Sequence, residues 1–221
     1  MNPGPIYVYK CPNCSNLITK MSLLSGNTFG AKQFSDGKQV ARMLPEFPNL
    51  TKCKKCNTIF WLNKLKEIGS YRWGEENSKW AKADSAEFLT IEEYFIAITK
   101  GVAENKGEEL FIRQHLWWVY NDRIRNGQKI FNDKNDEMRW KKNLIELLNL
   151  LNRQNIFRRI LNLPNKSAVN DKIMKAEIYR NLGDFENCIR IIQSIDNQGM
   201  NWLKVQFVKE CERKNRWVIE F

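Results

Sequence analysis

The sequence predicts an α+β chain: a small N-terminal antiparallel β module followed by a mainly α-helical domain. Three observations predict it. Cysteines recur as two Cys-x2-Cys hooks, Cys11/Cys14 and Cys53/Cys56. Short runs rich in β-branched and aromatic residues flank these hooks, whereas from Thr90 onward apolar residues recur at helical spacing between cap signals. Charge is also divided unevenly. Ten of the 36 basic side chains lie in residues 1–66, against only Asp36 and Glu46, while the remainder of the chain is nearly balanced. A chain of 221 residues with 43% hydrophobic content can fill a core, which excludes a disordered polypeptide.

The hooks carry the strongest chemistry. Four thiolates at this spacing close a tetrahedral shell, and sulfur in all four positions leaves none for water or substrate. Cys11, Cys14, Cys53 and Cys56 are therefore predicted to hold one structural Zn2+, which supplies folding energy to a module with little core of its own. The opening Met1-Asn-Pro-Gly-Pro has no basic flank leading into an apolar run, and no stretch is apolar enough to span a bilayer. The reading is a cytoplasmic chain without a membrane partner, where such hooks hold metal rather than disulfides.

Residues 6–9 read as a strand delivering Cys11, and Pro12 with Asn13 suits a tight turn. Ser15 and Asn57 each follow the second cysteine of a hook, where the backbone must turn sharply; asparagine tolerates the left-handed region well, serine less so. Thr58–Leu62 reads as a further strand. Strand, hook, strand and hook over residues 6–62 resemble a four-cysteine zinc ribbon, which implies a small sheet clamped at one end by structural zinc.

Residues 15–52 separate the hooks, an insert longer than compact four-cysteine sites need. Ser35-Asp36-Gly37-Lys38 carries the Asp-Gly signal of a hairpin, with arms expected over 29–34 and 39–44. Ser25-Gly26-Asn27 is a second turn, and two prolines in Met43–Leu50 favour an extended return to Cys53. From Gly69 to Ala86 the pattern loses its period; Tyr71, Trp73 and Trp80 are expected to pack at a junction. The predicted organisation is thus 1–68 as the β module, 69–89 as the junction and 90–221 as the helical domain.

In the helical part, Thr90 and Glu93 have capping-box spacing ahead of a helix to about Ala103. A second helix restarts at Gly107 and runs through Arg125 to Gly127, with Leu110, Phe111, Trp117, Trp118, Tyr120 and Ile124 on a broad apolar face. A third spans about 136–152, a helical turn is expected around Ile156–Leu161 ahead of Pro164, and Asn170 or Asp171 is expected to cap the next helix. That helix ends at Leu182-Gly183, Asp184 starts another through Ile195, and the last covers 201–215 before an extended tail. Ala176, Tyr179, Gly183-Asp184-Phe185, Cys188 and Ile189 occupy the small, aromatic and turn positions of a helix pair. That set resembles one degenerate tetratricopeptide repeat, and the resemblance implies an α-α hairpin and a protein-binding role.

The leading functional reading is a non-enzymatic zinc-binding interaction or adaptor protein whose partner is another protein, recognised by a helical surface. Trp117, Trp118, Asn121, Asp122 and Arg123 form the densest aromatic and polar group and are the candidates for that surface. The alternative is binding of RNA or single-stranded DNA by the basic module, with Lys52, Lys54, Lys55, Lys64 and Lys66 on phosphates and Phe29, Phe34, Phe60 and Trp61 stacking on bases. No Gly-rich phosphate loop occurs, so no nucleotide cofactor is expected. An enzyme would have to be built around Asp122 and His115, the only histidine. His115 within an aromatic helix and Cys188 and Cys211 among apolar neighbours read instead as packed residues.

Overall fold

The computed structural model describes residues 1–75, 79–160 and 168–221. Short strands come first: β1 (Asn2–Pro3), β2 (Ile6–Lys10), β3 (Leu17–Lys20), β4 (Leu23–Ser25), β5 (Lys32–Gln33), β6 (Gln39–Val40), β7 (Leu50–Lys52), β8 (Ile59–Trp61), β9 (Gly69–Tyr71) and β10 (Asp84–Ser85). Helices follow: α1 (Ile91–Thr99), α2 (Lys106–Arg125), α3 (Lys134–Ile160), α4 (Ala168–Leu182), α5 (Phe185–Gln193) and α6 (Asn201–Glu212). The α+β class is as the sequence predicts. Two compact units are present: residues 1–31 with 40–103, and residues 32–39 with 104–221.

In the first unit, β2 pairs antiparallel with β3 from Tyr7↔Lys20 to Lys10↔Leu17, and β7 pairs antiparallel with β8 from Leu50↔Trp61 to Lys52↔Ile59. Each hook is therefore the tip of a β-hairpin. Residues 69–89 supply the edges of the sheet: β9 lies antiparallel on β2 and β10 parallel on β3. Strands this short leave no periodic signature. α1 begins with the expected capping box: Glu93 N–H donates to Thr90 Oγ1 at 3.3 Å, and Thr90 N–H donates to Glu93 Oε2 at 2.8 Å.

In the second unit, α2 through α6 pack in sequence. Asn105 caps α2 by accepting from Glu108 N–H at 3.0 Å. Its buried stripe is Ile112, Leu116, Trp117, Tyr120 and Asn121, and the expected apolar positions Phe111, Trp118 and Ile124 are only half-buried. α4 and α5 form a helical hairpin. Gly183, at φ 85°, closes the Schellman turn between them: Asp184 N–H reaches Tyr179 O at 2.9 Å, and Gly183 N–H reaches Arg180 O at 3.0 Å. Ala176 and Cys188, both wholly buried, lie in the core shared by α4, α5 and α6, as does Cys211. The small residues let these helices approach.

Several boundaries differ from expectation. The hairpin arms shrink to β5 and β6, because Phe29 stands 90% exposed and residues 41–49 form no regular strand. Asn170 and Asp171 do not cap α4, which begins at Ala168; Asp171 sits in its first turn, where a carboxylate complements the helix dipole. α3 continues through residues 153–160, which carry no clear periodicity, and the expected stretch from Leu161 to Pro164 lies outside the described residues.

Candidate metal centre

The two hooks adopt one conformation. In the first, Ser15 N–H donates to Cys11 O at 3.0 Å and Cys11 N–H to Asn16 O at 2.8 Å; in the second, Asn57 N–H donates to Cys53 O at 2.9 Å and Cys53 N–H to Thr58 O at 2.9 Å. Ser15 and Asn57 share a φ of 58°, the left-handed turn that aims both sulfurs of a hook inward. Their β-hairpins then bring the tips together.

Cys11 Sγ lies 3.6 Å from Cys56 Sγ, and Cys14 Sγ lies 3.6 Å from Cys53 Sγ. All four sulfurs fall within 4.8 Å of one another. A tetrahedral shell with zinc–sulfur bonds of about 2.3 Å has edges of about 3.8 Å, so the donor set fits a metal ion in both chemistry and spacing. Cys11 and Cys53 are buried and pack with Ile18, Phe60 and Leu62; Cys14 and Cys56 close the outer side. The centre is thus part of the core of its unit.

The thiols are electrostatically unequal. Hydrogen bonding by the Thr58 side chain, then by Asn13 and the Thr58 backbone, holds Cys56 down to about 5, with Cys56 Sγ 3.3 Å from Thr58 Oγ1. Burial pushes Cys11 up to about 12. A divalent cation would relieve that penalty by supplying the charge that buried thiolates lack.

The basic surroundings are more engaged than the local sequence implies. Lys52 is ion-paired with Glu93 and Lys54 with Glu87, both acids beyond residue 66. Lys64 stands 5.9 Å from the Trp61 ring centroid, and Lys55 and Lys66 are exposed. Of the aromatic groups considered for stacking, Phe60 and Trp61 are buried, Trp61 Nε1 donating to Val102 O at 3.1 Å, whereas Phe29 is exposed. Arg125 lies over the ring of Phe34 at 4.5 Å.

The group on α2 surrounds the Ser35-Asp36 turn. Trp118 Nε1 donates to Asp36 O at 3.1 Å and Asn121 Nδ2 to Asp36 Oδ2 at 2.8 Å, while Arg125 pairs with the same carboxylate. Asp122 bridges Lys38 and Arg125, Arg123 holds Asp136 and Ile130 O, and buried Trp117 donates to Asn181 Oδ1 at 2.8 Å. Ser35 completes a second buried cluster: its hydroxyl donates to Glu177 Oε1 at 2.8 Å and accepts from Arg180 at 3.1 Å, and Arg180 forks onto both oxygens of Glu177. No motif in the sequence marks Glu177, Arg180 and Asn181. Their only signal is three polar side chains where an apolar helix stripe would run.

His115 and Asp122 each contact other groups. Its Nδ1 lies 2.8 Å from Phe111 O, and burial, against that hydrogen bond, lowers its pKa to about 4. Asp122 is committed to Lys38 and Arg125.

Among the described residues, no helix is long and apolar enough to cross a membrane. The chain matches no protein-family model, no curated protein and no solved structure.

Proposed function

We propose that the chain is a non-enzymatic interaction protein in which one structural zinc, held by Cys11, Cys14, Cys53 and Cys56, fixes the β module while the helical unit binds another protein. The convergence of four sulfurs from two like-built hooks carries the metal part of this reading. Four sulfur ligands leave no open coordination position, so the role is architectural. The protein-binding part is supported by exposed apolar side chains at helical spacing: Trp202 and Val205 on α6, at 54% and 65% exposure, and Met138 and Ile145 on α3, at 61% and 48%. The α4–α5 hairpin, with its resemblance to a tetratricopeptide repeat, suits the same role. Trp118, Asp122 and Arg123 remain the half-exposed part of the candidate α2 surface.

Replacing Cys53 and Cys56 together by serine tests the structural role. The expected outcome is loss of bound zinc and of β-module signals in a two-dimensional amide NMR spectrum. Retention of a dispersed spectrum in residues 6–62 without metal would contradict it.

RNA or single-stranded DNA binding is the second reading, favoured by exposed Lys55, Lys66 and Phe29. With Lys52 and Lys54 paired and Phe60 and Trp61 buried, we expect only weak binding with a shallow salt slope. A salt-titrated polarisation assay with the native chain and a variant carrying Lys55→Glu and Lys66→Glu decides it. Tight, steeply salt-dependent binding abolished by the charge reversals would favour the nucleic-acid role.

A further inference from the structure

We propose that metal occupancy at the four-cysteine centre controls the seating of the Ser35-Asp36 turn among the helices. Zinc bound in the first unit would thereby stabilise contacts in the second. The inference rests on the reading that the centre holds zinc, and it adds a device that this reading does not contain.

Chain connectivity carries it. The hooks end at Cys14 and begin again at Cys53, and residues 32–39, midway along the insert between them, belong to the helical unit; the flanks on both sides belong to the first unit. The turn is seated as an interior element: Ser35 and Asp36 are each only 1% exposed. Asp36 neutralises Arg125, and Ser35 serves the Glu177–Arg180 pair. Ser35 Oγ also accepts from Ile219 N–H at 3.1 Å, and Gln33 O accepts from Phe221 N–H at 3.0 Å, so the C-terminal tail is held by the same segment. Withdrawal of the turn strands buried charge, and the seat is therefore costly to leave empty.

With the hooks clamped, the turn is tethered by residues 15–31 and 40–52. With the metal gone, the β module loses much of its folding energy, and the extensible part of the link from the turn to the helices, otherwise residues 40–52, grows to residues 40–103. A tether about five times longer lowers the effective concentration of the turn at its seat about tenfold. Linkage is reciprocal: whatever factor zinc contributes to seating, seating contributes to zinc affinity.

Zinc content of the full chain is measured first, because a chain that holds no zinc contradicts the metal reading and this inference with it. In a chain shown to hold zinc, hydrogen exchange is compared before and after removal by a chelator. The expected result is about tenfold less protection at the Ile219 and Phe221 amides in the zinc-free chain; loss extending into α4–α6 would express the same linkage more strongly. In the reverse direction, Asp36→Ala should weaken zinc affinity about tenfold in a chelator competition. Ile192→Val, which thins the α5 core without touching the turn, should leave that affinity unchanged. Stoichiometric zinc with equal exchange at Ile219 and Phe221 in both states, or Asp36→Ala holding zinc as tightly as the native chain, overturns the coupling while leaving the metal reading intact.

Discussion

His115 is half-enclosed on α2, stacked on Phe111 with ring centroids 3.7 Å apart, and it is the only histidine of the chain. Burial lowers its pKa from 6.5 to about 4. The unfolded chain therefore binds a proton that the folded chain refuses, and stability falls as pH drops from about 6.5 to 4. A shift of that size corresponds to at most about 3 kcal/mol. Denaturant unfolding of His115→Gln across this window should show a flatter pH dependence than the native chain; an unchanged slope would locate the titration elsewhere. Ser15 and Asn57 make a second test at this scale. Both sit at φ 58°, where a β-carbon costs about 1–2 kcal/mol unless the side chain compensates. Allowing for the extra freedom glycine adds to the unfolded chain, Ser15→Gly should stabilise the β module by about 0.5–1 kcal/mol, and Asn57→Gly by less. Thermal melts of the two variants, with the metal content matched, decide the order.

At the scale of elements, the hooks owe their shape to hairpins whose strands are only a few residues long, so a metal held by the four cysteines would do what sheet area does elsewhere. α2 is placed by polar contacts as much as by its apolar stripe. Near its end, Asp136 at the start of α3 accepts from Tyr120, from Asn132 N–H at 3.0 Å and from Arg123 at 2.9 Å. Burial raises the pKa of this carboxyl, but these donors outweigh it and hold the group below its usual 3.8. The sign is opposite in origin to that of His115, yet both favour neutral pH. The Asp136 contribution is complete above pH 3.8 and is lost as pH falls through the lower folded value. Asp136→Ala removes the carboxylate to which Tyr120, Asn132 and Arg123 donate and should cost about 3 kcal/mol at pH 7, with the difference from native shrinking at an acid pH well below 3.8. Urea unfolding at the two pH values measures it. Elements with local signatures were legible: the hooks by spacing, α1 by Thr90 and Glu93, and the α4–α5 hairpin by Gly183 and Asp184. β9 and β10 were not, since two or three residues carry no period.

On the scale of the whole molecule, what escaped the sequence is long-range. Ser35 and Asp36 carry the signal of a turn, and turns ordinarily face water; here they are buried against Arg125, Glu177 and Arg180, up to 145 positions away. No local pattern can announce a partner at that distance. The surplus of positive charge in the first 66 residues was legible, but its neutralisers were not: Glu87, Glu93, Asp122 and Glu220 reach back to Lys54, Lys52, Lys38 and Lys32. Composition therefore overstates the free cationic surface of the fold. The four-cysteine cluster was legible because two Cys-x2-Cys hooks have the spacing that metal ligation requires. The most direct test of the account is native mass spectrometry of the full chain, expressed with zinc available, combined with a count of thiols that react without denaturant. One zinc per chain is expected, with Cys11, Cys14, Cys53 and Cys56 protected from alkylation until the metal is removed. A metal-free chain in which those four thiols react freely would contradict it.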